Sequence, residues 1–277
     1  MEPVGPQVLL IGNGHLKPLP TSDMLSNLQE RLSLNGTAKL DRLAAHGRPI
    51  LACYFVLGDA QFDDALRDLY VEEGVNIFEL GIPSTDPYLD GADIAGAMAQ
   101  VIANGRDGYD RMAELAEWLA ARPLAPAGVC MAYADLDLQR LAGIPLDGAL
   151  VIGGEGVAIG VPGAPRCGLL TLDRSLWNLD DALRWDGYVM VQSADGKTGP
   201  REALDSRLAE TIAAARQAGI TRPILAGFGI GTPAQARQAI DAGADGVVIG
   251  SMCVRSVRKG RDAIRSFLRD ARSALDA

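Results

Sequence analysis

The sequence has few of the side chains that build metal centres or disulfide frameworks. Its 277 residues include two histidines and four cysteines, and the cysteines are widely spaced, with no Cys-x-x-Cys pair. A zinc knuckle is therefore not expected. Cys53, Cys130 and Cys253 lie in apolar runs, which favours buried free thiols in a reducing compartment. The histidines, His15 and His46, are not expected to serve catalysis or metal binding.

The sequence also lacks an excess of positive charge. Lys and Arg number 26 against 35 Asp and Glu, so the formal net charge is −9. This balance argues against a nucleic-acid or acidic membrane partner. It does not exclude anionic small molecules, because backbone amides alone can hold a phosphate.

A targeting or membrane segment is likewise missing at the start of the chain. The first residues carry no basic region, and the apolar run VLLIG (8–12) is too short for a signal peptide or a membrane span. We expect a soluble cytoplasmic protein. Residues 1–35 are punctuated by Gly and Pro and are interpreted as an N-terminal extension, in which Ser22 or Asp23 could cap a helix to about Leu34. Residues 36–277 are predicted to form the main domain.

Aromatic residues make up only 5% of the chain, but hydrophobic residues reach 48%, enough for a real core. Apolar runs typical of buried strands alternate with helical patterns from Lys39 onward. The predicted strands are 50–58, 75–81, 127–133, 148–154, 167–173, 187–193, 223–229 and 245–252. The predicted helices are 59–74, 92–103, 107–121, 135–143, 176–185, 201–219, 232–243 and about 256–275.

Eight strands alternating with helices predict an α/β fold, a (β/α)8 TIM barrel. An open doubly wound sheet would need fewer strands and usually an early glycine-rich turn. The connection EGVAIGVPGAPR (155–166), after the fourth strand, is too rich in Gly, Pro and β-branched residues for a crossover helix. The fourth crossover helix is therefore predicted to be reduced or lost.

Three carboxylates follow the second strand closely. Glu79 lies near the end of that strand, and Asp86 and Asp90 lie on the next loop, at the catalytic face of a barrel. A carboxylate in a dry barrel mouth would have a raised pKa and could exchange protons near neutral pH. The alternative is that Glu79 is a paired structural residue and that the aspartates form turns, since Asp-Pro and Asp-Gly favour turns.

Glycine-bearing stretches follow the last three strands. They are GKTG (196–199), GFGIG (227–231) and IGS (249–251). Exposed amides near helix N-termini bind anions, and barrels commonly build such a site after strands seven and eight. The full GxxxxGK[ST] pattern is absent, so nucleotide binding is not expected.

These segments together resemble the alpha subunit of tryptophan synthase. ELGIPSTDPYLDG (79–91) is similar to the strand-two signature of that family, with Glu79 and Asp90 eleven positions apart. The resemblance covers roughly residues 48–275. Further similar segments are LGD (57–59), MAY (131–133), SADGKTG (193–199), GFGIGTPAQA (227–236) and DGVVIGS (245–251).

The resemblance implies a retro-aldol lyase that cleaves indole-3-glycerol phosphate to indole and glyceraldehyde 3-phosphate, with no cofactor and no metal. Glu79 would be the general acid and base, and Asp90 would accept the indole N–H. Tyr133 would line the indole pocket, and Asp86 would meet Thr198 when the loop after strand six closes. The phosphate would bind to Gly199, Gly229, Gly250 and Ser251. A tryptophan synthase beta-type subunit is the implied partner.

The chain departs from the family pattern at several places. It has neither the P-D-x-P motif nor the helix after strand four, and Lys197 stands where the family usually has a hydrophobic residue. The extension is also expected to replace the short helix that closes the barrel bottom. Two alternatives stay open. One is a related lyase or isomerase whose different phosphorylated substrate carries an anionic group for Lys197. The other is a non-catalytic partner of a beta-type subunit, in which Glu79→Gln would change nothing.

Overall fold

The computed structural model describes residues 8–11, 15–18, 37–122, 124, 126–153, 160–199 and 201–277. Two short strands, Val8–Ile11 and His15–Pro18, pair with each other in the antiparallel direction. The helix predicted to run from Ser22 or Asp23 to about Leu34 lies outside the described residues. The division of the chain after residue 35 stays a prediction.

Eight parallel strands close into a barrel, in which each strand pairs with the next and β8 pairs with β1. The predicted (β/α)8 barrel is therefore confirmed. The strands are β1 Ile50–Val56, β2 Ile77–Gly81, β3 Ala127–Tyr133, β4 Gly148–Ile152, β5 Arg166–Leu170, β6 Val189–Gln192, β7 Ile224–Gly227 and β8 Gly246–Ile249.

The helices lie between the strands and outside them. They are α1 Thr37–Ala45, α2 Asp64–Glu72, α3 Ala92–Ala103, α4 Tyr109–Ala120, α5 Leu179–Ala182, α6 Leu208–Gln217, α7 Pro233–Asp241, α8 Ser251–Arg258 and α9 Arg261–Asp276. In the connection from β4 to β5, residues 153 and 160–165 contain no helix; residues 154–159, which the prediction of a reduced fourth crossover also covers, lie outside the described residues. Across the described residues, no helix is both long and apolar enough to cross a bilayer.

Two helix predictions were wrong in extent. The helix predicted over 201–219 begins only at Leu208, because Asp205 accepts bonds from the Arg207 amide and guanidinium at 2.9 Å and shapes a turn there. The terminal helix predicted over 256–275 is two helices, α8 and α9. Gly260 separates them with a φ of 110°, a conformation that glycine adopts readily.

Two shorter helix predictions also changed. The segment 135–143 keeps only a 3₁₀ turn at Leu138–Leu141. The segment 176–185 becomes a 3₁₀ turn at Arg174–Leu176 followed by the short helix α5. In both turns an aspartate just before the turn accepts a hydrogen bond from a backbone amide, which favours a tight turn over a long helix.

Helix α1 covers the bottom of the barrel. Lys39 Nζ donates to the Leu119 carbonyl at 2.9 Å and lies 3.4 Å from Asp147, which in turn accepts from the Gly128 amide at 2.8 Å. Leu40 is buried within the interior core. The expectation that the extension replaces a helix at the bottom was therefore wrong, because α1 takes that place itself.

Side chains alternate between two apolar layers along each strand. In β1, Tyr54 faces the barrel interior, whereas Cys53 and Phe55 pack against the surrounding helices. In β2, Phe78 packs outward, and its neighbour Glu79 therefore faces the interior. This alternation places an ionisable group in a core that is otherwise apolar.

Candidate active site

Glu79 is the buried acid of the barrel interior, with 3% of its surface exposed. Tyr188, just before β6, donates a hydrogen bond from its hydroxyl to the Glu79 carboxylate. Burial raises the pKa of Glu79 to about 7; the Tyr188 bond opposes this rise, and the charge of Asp90 adds to it. Glu79 can therefore give and take a proton near neutral pH.

Asp90 is the second buried carboxylate, also 3% exposed, on the loop after β2. Its two oxygens accept separate bonds, from Tyr133 Oη at 2.7 Å and from Thr198 Oγ1 at 3.0 Å. Burial raises the pKa of Asp90, while these two bonds and the positive charge of Lys197 oppose the rise. The Asp90 carboxylate is thus held in one orientation by two hydroxyl groups.

The loops after β2 and β6 meet at Thr198. Its hydroxyl accepts from the Gly91 amide at 2.9 Å, and its own amide donates to the Leu89 carbonyl at 2.8 Å. A Cβ on Gly91 would lie 2.1 Å from the Thr198 carbonyl oxygen, so only glycine permits this approach. The Thr198 hydroxyl bonds to Asp90 here, and its predicted contact with Asp86 on closure of the loop after strand six stays a prediction. Asp86 is exposed, and its role in substrate binding stays a prediction.

Both carboxylates line one cavity at the C-terminal ends of the strands. Tyr133 is not part of its wall; it lies behind Asp90, so its contact with the site runs through that carboxylate. The wall is mainly aliphatic between the polar groups. It is formed by Tyr54, Glu79, Asp90, Ile94, Met131, Leu150, Ile152, Met190, Thr198, Gly199, Phe228, Gly229, Ile230, Val248, Gly250 and Ser251.

The four residues predicted to hold a phosphate all line this cavity: Gly199, Gly229, Gly250 and Ser251. Gly250 and Ser251 begin helix α8, whose N-terminus favours negative charge. Phe228 has a φ of 64°, which is rare outside glycine and frequent at functional sites. The Ser193 hydroxyl donates to the Phe228 carbonyl at 2.9 Å and so supports this turn. Phosphate binding at this end stays a prediction.

Four cavity or neighbouring residues were missed from the sequence: Tyr54, Tyr188, Met190 and Phe228. They belong to apolar strands or strand ends, where a ring or a thioether predicts packing. The signal that could have identified Tyr54 was the alternation of inward and outward side chains along each strand. Tyr54 is the register partner of Glu79, so both side chains point into the barrel at one level.

A wider and more open groove lies between the loop after β1 and helix α4, lined by Asp63, Arg106, Asp107 and Arg111 among others. Neither Glu79 nor Asp90 reaches it, so the enclosed cavity is the candidate site. Within the described part of the chain, no group of three or more His, Cys, Asp or Glu side chains is placed to hold a metal ion.

A parallel barrel with two buried carboxylates in a partly glycine-lined cavity at the C-terminal ends of its strands is typical of an enzyme of the (β/α)8-barrel class. The family model described as tryptophan synthase alpha chain matches residues 178–275. The chain is 33% identical to the tryptophan synthase alpha chain of Novosphingobium aromaticivorans over 244 residues, 81% of this chain and 91% of that one. The chain belongs to the tryptophan synthase alpha chain family, whose members are carbon–carbon lyases.

Further comparisons agree. The tryptophan synthase alpha chain of Synechococcus elongatus is 29% identical over 255 residues, 84% of this chain and 94% of that one. The subunit alpha structure from Legionella pneumophila superposes with a TM-score of 0.70 at 23% identity, covering 86% of this chain and 97% of that one. A chain of tryptophan synthase from Mycobacterium tuberculosis gives 0.69 at 21% identity, covering 86% and 97%. At such identities the structural likeness shows the fold alone.

Proposed function

We propose that this protein cleaves indole-3-glycerol phosphate by a retro-aldol reaction, releasing indole and glyceraldehyde 3-phosphate. The observation that carries the proposal is the pairing of Glu79, with a pKa of about 7, and Asp90 in one enclosed cavity. Membership of a carbon–carbon lyase family supports the same reaction class.

The first step is protonation of indole C3, because the carbon–carbon bond cannot break while C3 keeps its aromatic character. Protonated Glu79 gives this proton. Positive charge then develops on the indole nitrogen, and the Asp90 carboxylate accepts the N–H and stabilises the charge. The bonds from Tyr133 and Thr198 to Asp90 hold the carboxylate in place during this step.

The second step breaks the bond between C3 and the side chain. The Glu79 carboxylate left by the first step removes the proton of the adjacent glycerol hydroxyl. The electrons of that O–H bond form the aldehyde, and those of the carbon–carbon bond restore the indole ring. Glu79 ends the cycle protonated, as it began. The Tyr188 bond positions the carboxylate for both transfers.

The substrate phosphate binds, in this proposal, at the amides of Gly199, Gly229 and Gly250 and at the Ser251 hydroxyl. The loop that carries Thr198 lies over the loop after β2, which would exclude water from the charged intermediate. Asp86, at the outer rim, would contact the closed loop only in a further rearrangement.

A tryptophan synthase beta-type subunit is the partner that we propose on family grounds, and a cytoplasmic location stays a prediction. One observation favours a related substrate with an added anionic group. Lys197 is exposed, and its positive charge opposes the rise in the pKa of buried Asp90, the group proposed to accept the indole N–H.

The test is incubation of the purified chain with indole-3-glycerol phosphate, with indole and glyceraldehyde 3-phosphate each measured. Release of both in equal amounts is expected. An equal sample receives a tryptophan synthase beta subunit, which would raise the rate if the partner binds. No product in either sample would overturn the proposal and favour another phosphorylated substrate.

A further inference from the structure

Tyr54 carries a buried hydroxyl that the proposed mechanism does not use. The residue is 2% exposed, lies in β1 and lines the cavity together with Glu79 and Asp90. Among the residues that the structure describes, none forms a hydrogen bond with its hydroxyl. An unpaired buried hydroxyl is costly, so a native site normally supplies a partner for it.

Tyr54 reaches from the predicted phosphate end of the cavity to strand β2. Its Cβ is 3.7 Å from where a Cβ on Gly250 would lie. Its hydroxyl oxygen lies over Gly81, where an added Cβ would be only 2.0 Å away. The hydroxyl therefore lies against β2 two residues beyond Glu79, which itself lines the cavity.

The hydroxyl is a donor under all ordinary conditions. Burial and then the negative charges of Asp90 and Glu79 hold the pKa of Tyr54 well above its usual value. The Tyr54 hydroxyl therefore stays protonated and can donate a hydrogen bond. An acceptor atom on the substrate would give this hydroxyl the partner that it lacks among the described residues. Unsubstituted indole has only one polar group, the N–H, which the mechanism assigns to Asp90.

We propose that Tyr54 selects an indolyl glycerol phosphate that carries an oxygen substituent on its ring, whose oxygen accepts a hydrogen bond from Tyr54. This inference rests on the proposed function and narrows its substrate class. A site that holds a buried polar group discriminates strongly in favour of ligands that pair with it. Tyr54 is thus a specificity-determining residue that contacts the substrate.

The experiment uses the reverse reaction, in which an indole condenses with glyceraldehyde 3-phosphate. Indole competes in one tube with each of 4-, 5-, 6- and 7-hydroxyindole, and the ratio of products is measured. The wild-type chain is expected to favour one hydroxyindole over indole by about tenfold, the scale of one good hydrogen bond. Tyr54→Phe should reduce that ratio by about tenfold.

Tyr70→Phe is the matched control. Tyr70 is also fully buried, and its hydroxyl likewise has no partner among the described residues, but it lies outside the candidate site. Its variant should keep the wild-type ratio. The proposal is overturned if no hydroxyindole is favoured, or if the preference survives in Tyr54→Phe, as it would if only water bonds to the hydroxyl.

Failure of the proposed function would look different, because no indole would then condense with any form of the protein. In that case the same indoles are titrated calorimetrically into the wild-type chain and into both variants. Tighter binding of one hydroxyindole, lost in Tyr54→Phe alone, supports the role of Tyr54 as a polar contact for the ring. Equal affinity for that hydroxyindole in all three proteins would contradict a role for Tyr54 in binding it.

Discussion

The Tyr188 hydroxyl donates a hydrogen bond to the Glu79 carboxylate inside a barrel that shields both side chains from water. The bond has two consequences. It fixes the position of the carboxylate, and it favours the charged form, which lowers the pKa of Glu79 against the larger rise caused by burial. Tyr188 thereby keeps the pKa of a buried acid close to neutral, where proton transfer in both directions is efficient.

The activity should fall as the pH rises through about 7. The resting enzyme needs protonated Glu79 to deliver a proton to indole C3, and the pKa of Glu79 is about 7. We expect kcat/KM for indole-3-glycerol phosphate to be constant just below this pH and to fall tenfold per pH unit above it. A rate that stays level from pH 6 to pH 9 would contradict the assignment.

Tyr188→Phe should move that decline to higher pH. The substitution removes a bond that stabilises the ionised carboxylate, so Glu79 stays protonated over a wider range. The measurement is the pH profile of kcat/KM for the variant beside wild type. Tyr70→Phe, a buried tyrosine outside the site, serves as the control and should keep the wild-type profile. If the pH profile of Tyr188→Phe is not shifted, Tyr188 does not affect the pKa of Glu79.

The pH dependence of the protein's stability should also reflect the titration of Glu79. Its pKa is about 7 in the folded chain against an ordinary value of 4.5, so between these pH values the folded state holds a proton that the unfolded state has lost. Stability from this group is full below about 4.5 and is lost as the pH rises to about 7.

Glu79→Gln removes that dependence. The free energy of unfolding of the variant, minus that of wild type, should therefore increase by about 3 kcal/mol from pH 4 to pH 8. Urea unfolding of both proteins at the two pH values measures the difference, and Asp90, whose pKa is also raised, is present in both. A difference that does not change with pH would show that Glu79 titrates normally.

Gly91→Ala should separate the two loops over the cavity. The new Cβ would lie 2.1 Å from the Thr198 carbonyl oxygen, so the loop after β6 must move and Thr198 must release Asp90. We expect kcat/KM to fall by about tenfold to a hundredfold, because the hydrogen bond from Thr198 that orients the Asp90 carboxylate is lost.

Gly96→Ala is the control. Gly96 lies in α3, and no atom lies within 4 Å of the added Cβ, so this variant should keep its activity and gain roughly 0.5–1 kcal/mol of stability. Equal activity in the two variants would show that the loop contact is not needed.

Much of the fold was predictable because its signals are local. Buried parallel strands are continuous apolar runs, and all eight were located within a few residues. The start of α6 was not, since its helical pattern extends into residues that Asp205 and Arg207 hold in a turn. The break between α8 and α9 depends on a single glycine inside a strong amphipathic pattern.

The charged and glycine residues of the candidate site were easier to predict than its aromatic residues: Tyr54, Tyr188 and Phe228 were missed, and Tyr133 lies behind Asp90 and not in the cavity wall. Glu79, Asp90 and the four predicted phosphate-binding residues line one cavity, as their positions at strand ends indicate. The partners of the carboxylates were harder to identify. Tyr188 lies 109 residues from Glu79 along the chain, and only closure of the barrel brings them together.

The most direct test of the account is the rate of indole release from indole-3-glycerol phosphate by the wild-type chain and by Glu79→Gln, measured side by side at pH 6.5. Gln can accept the Tyr188 bond but cannot exchange a proton. We expect release by the wild-type protein and a loss of at least a thousandfold in the variant, the scale of a residue that acts as both acid and base. Equal rates in the two proteins would contradict the central role given to Glu79.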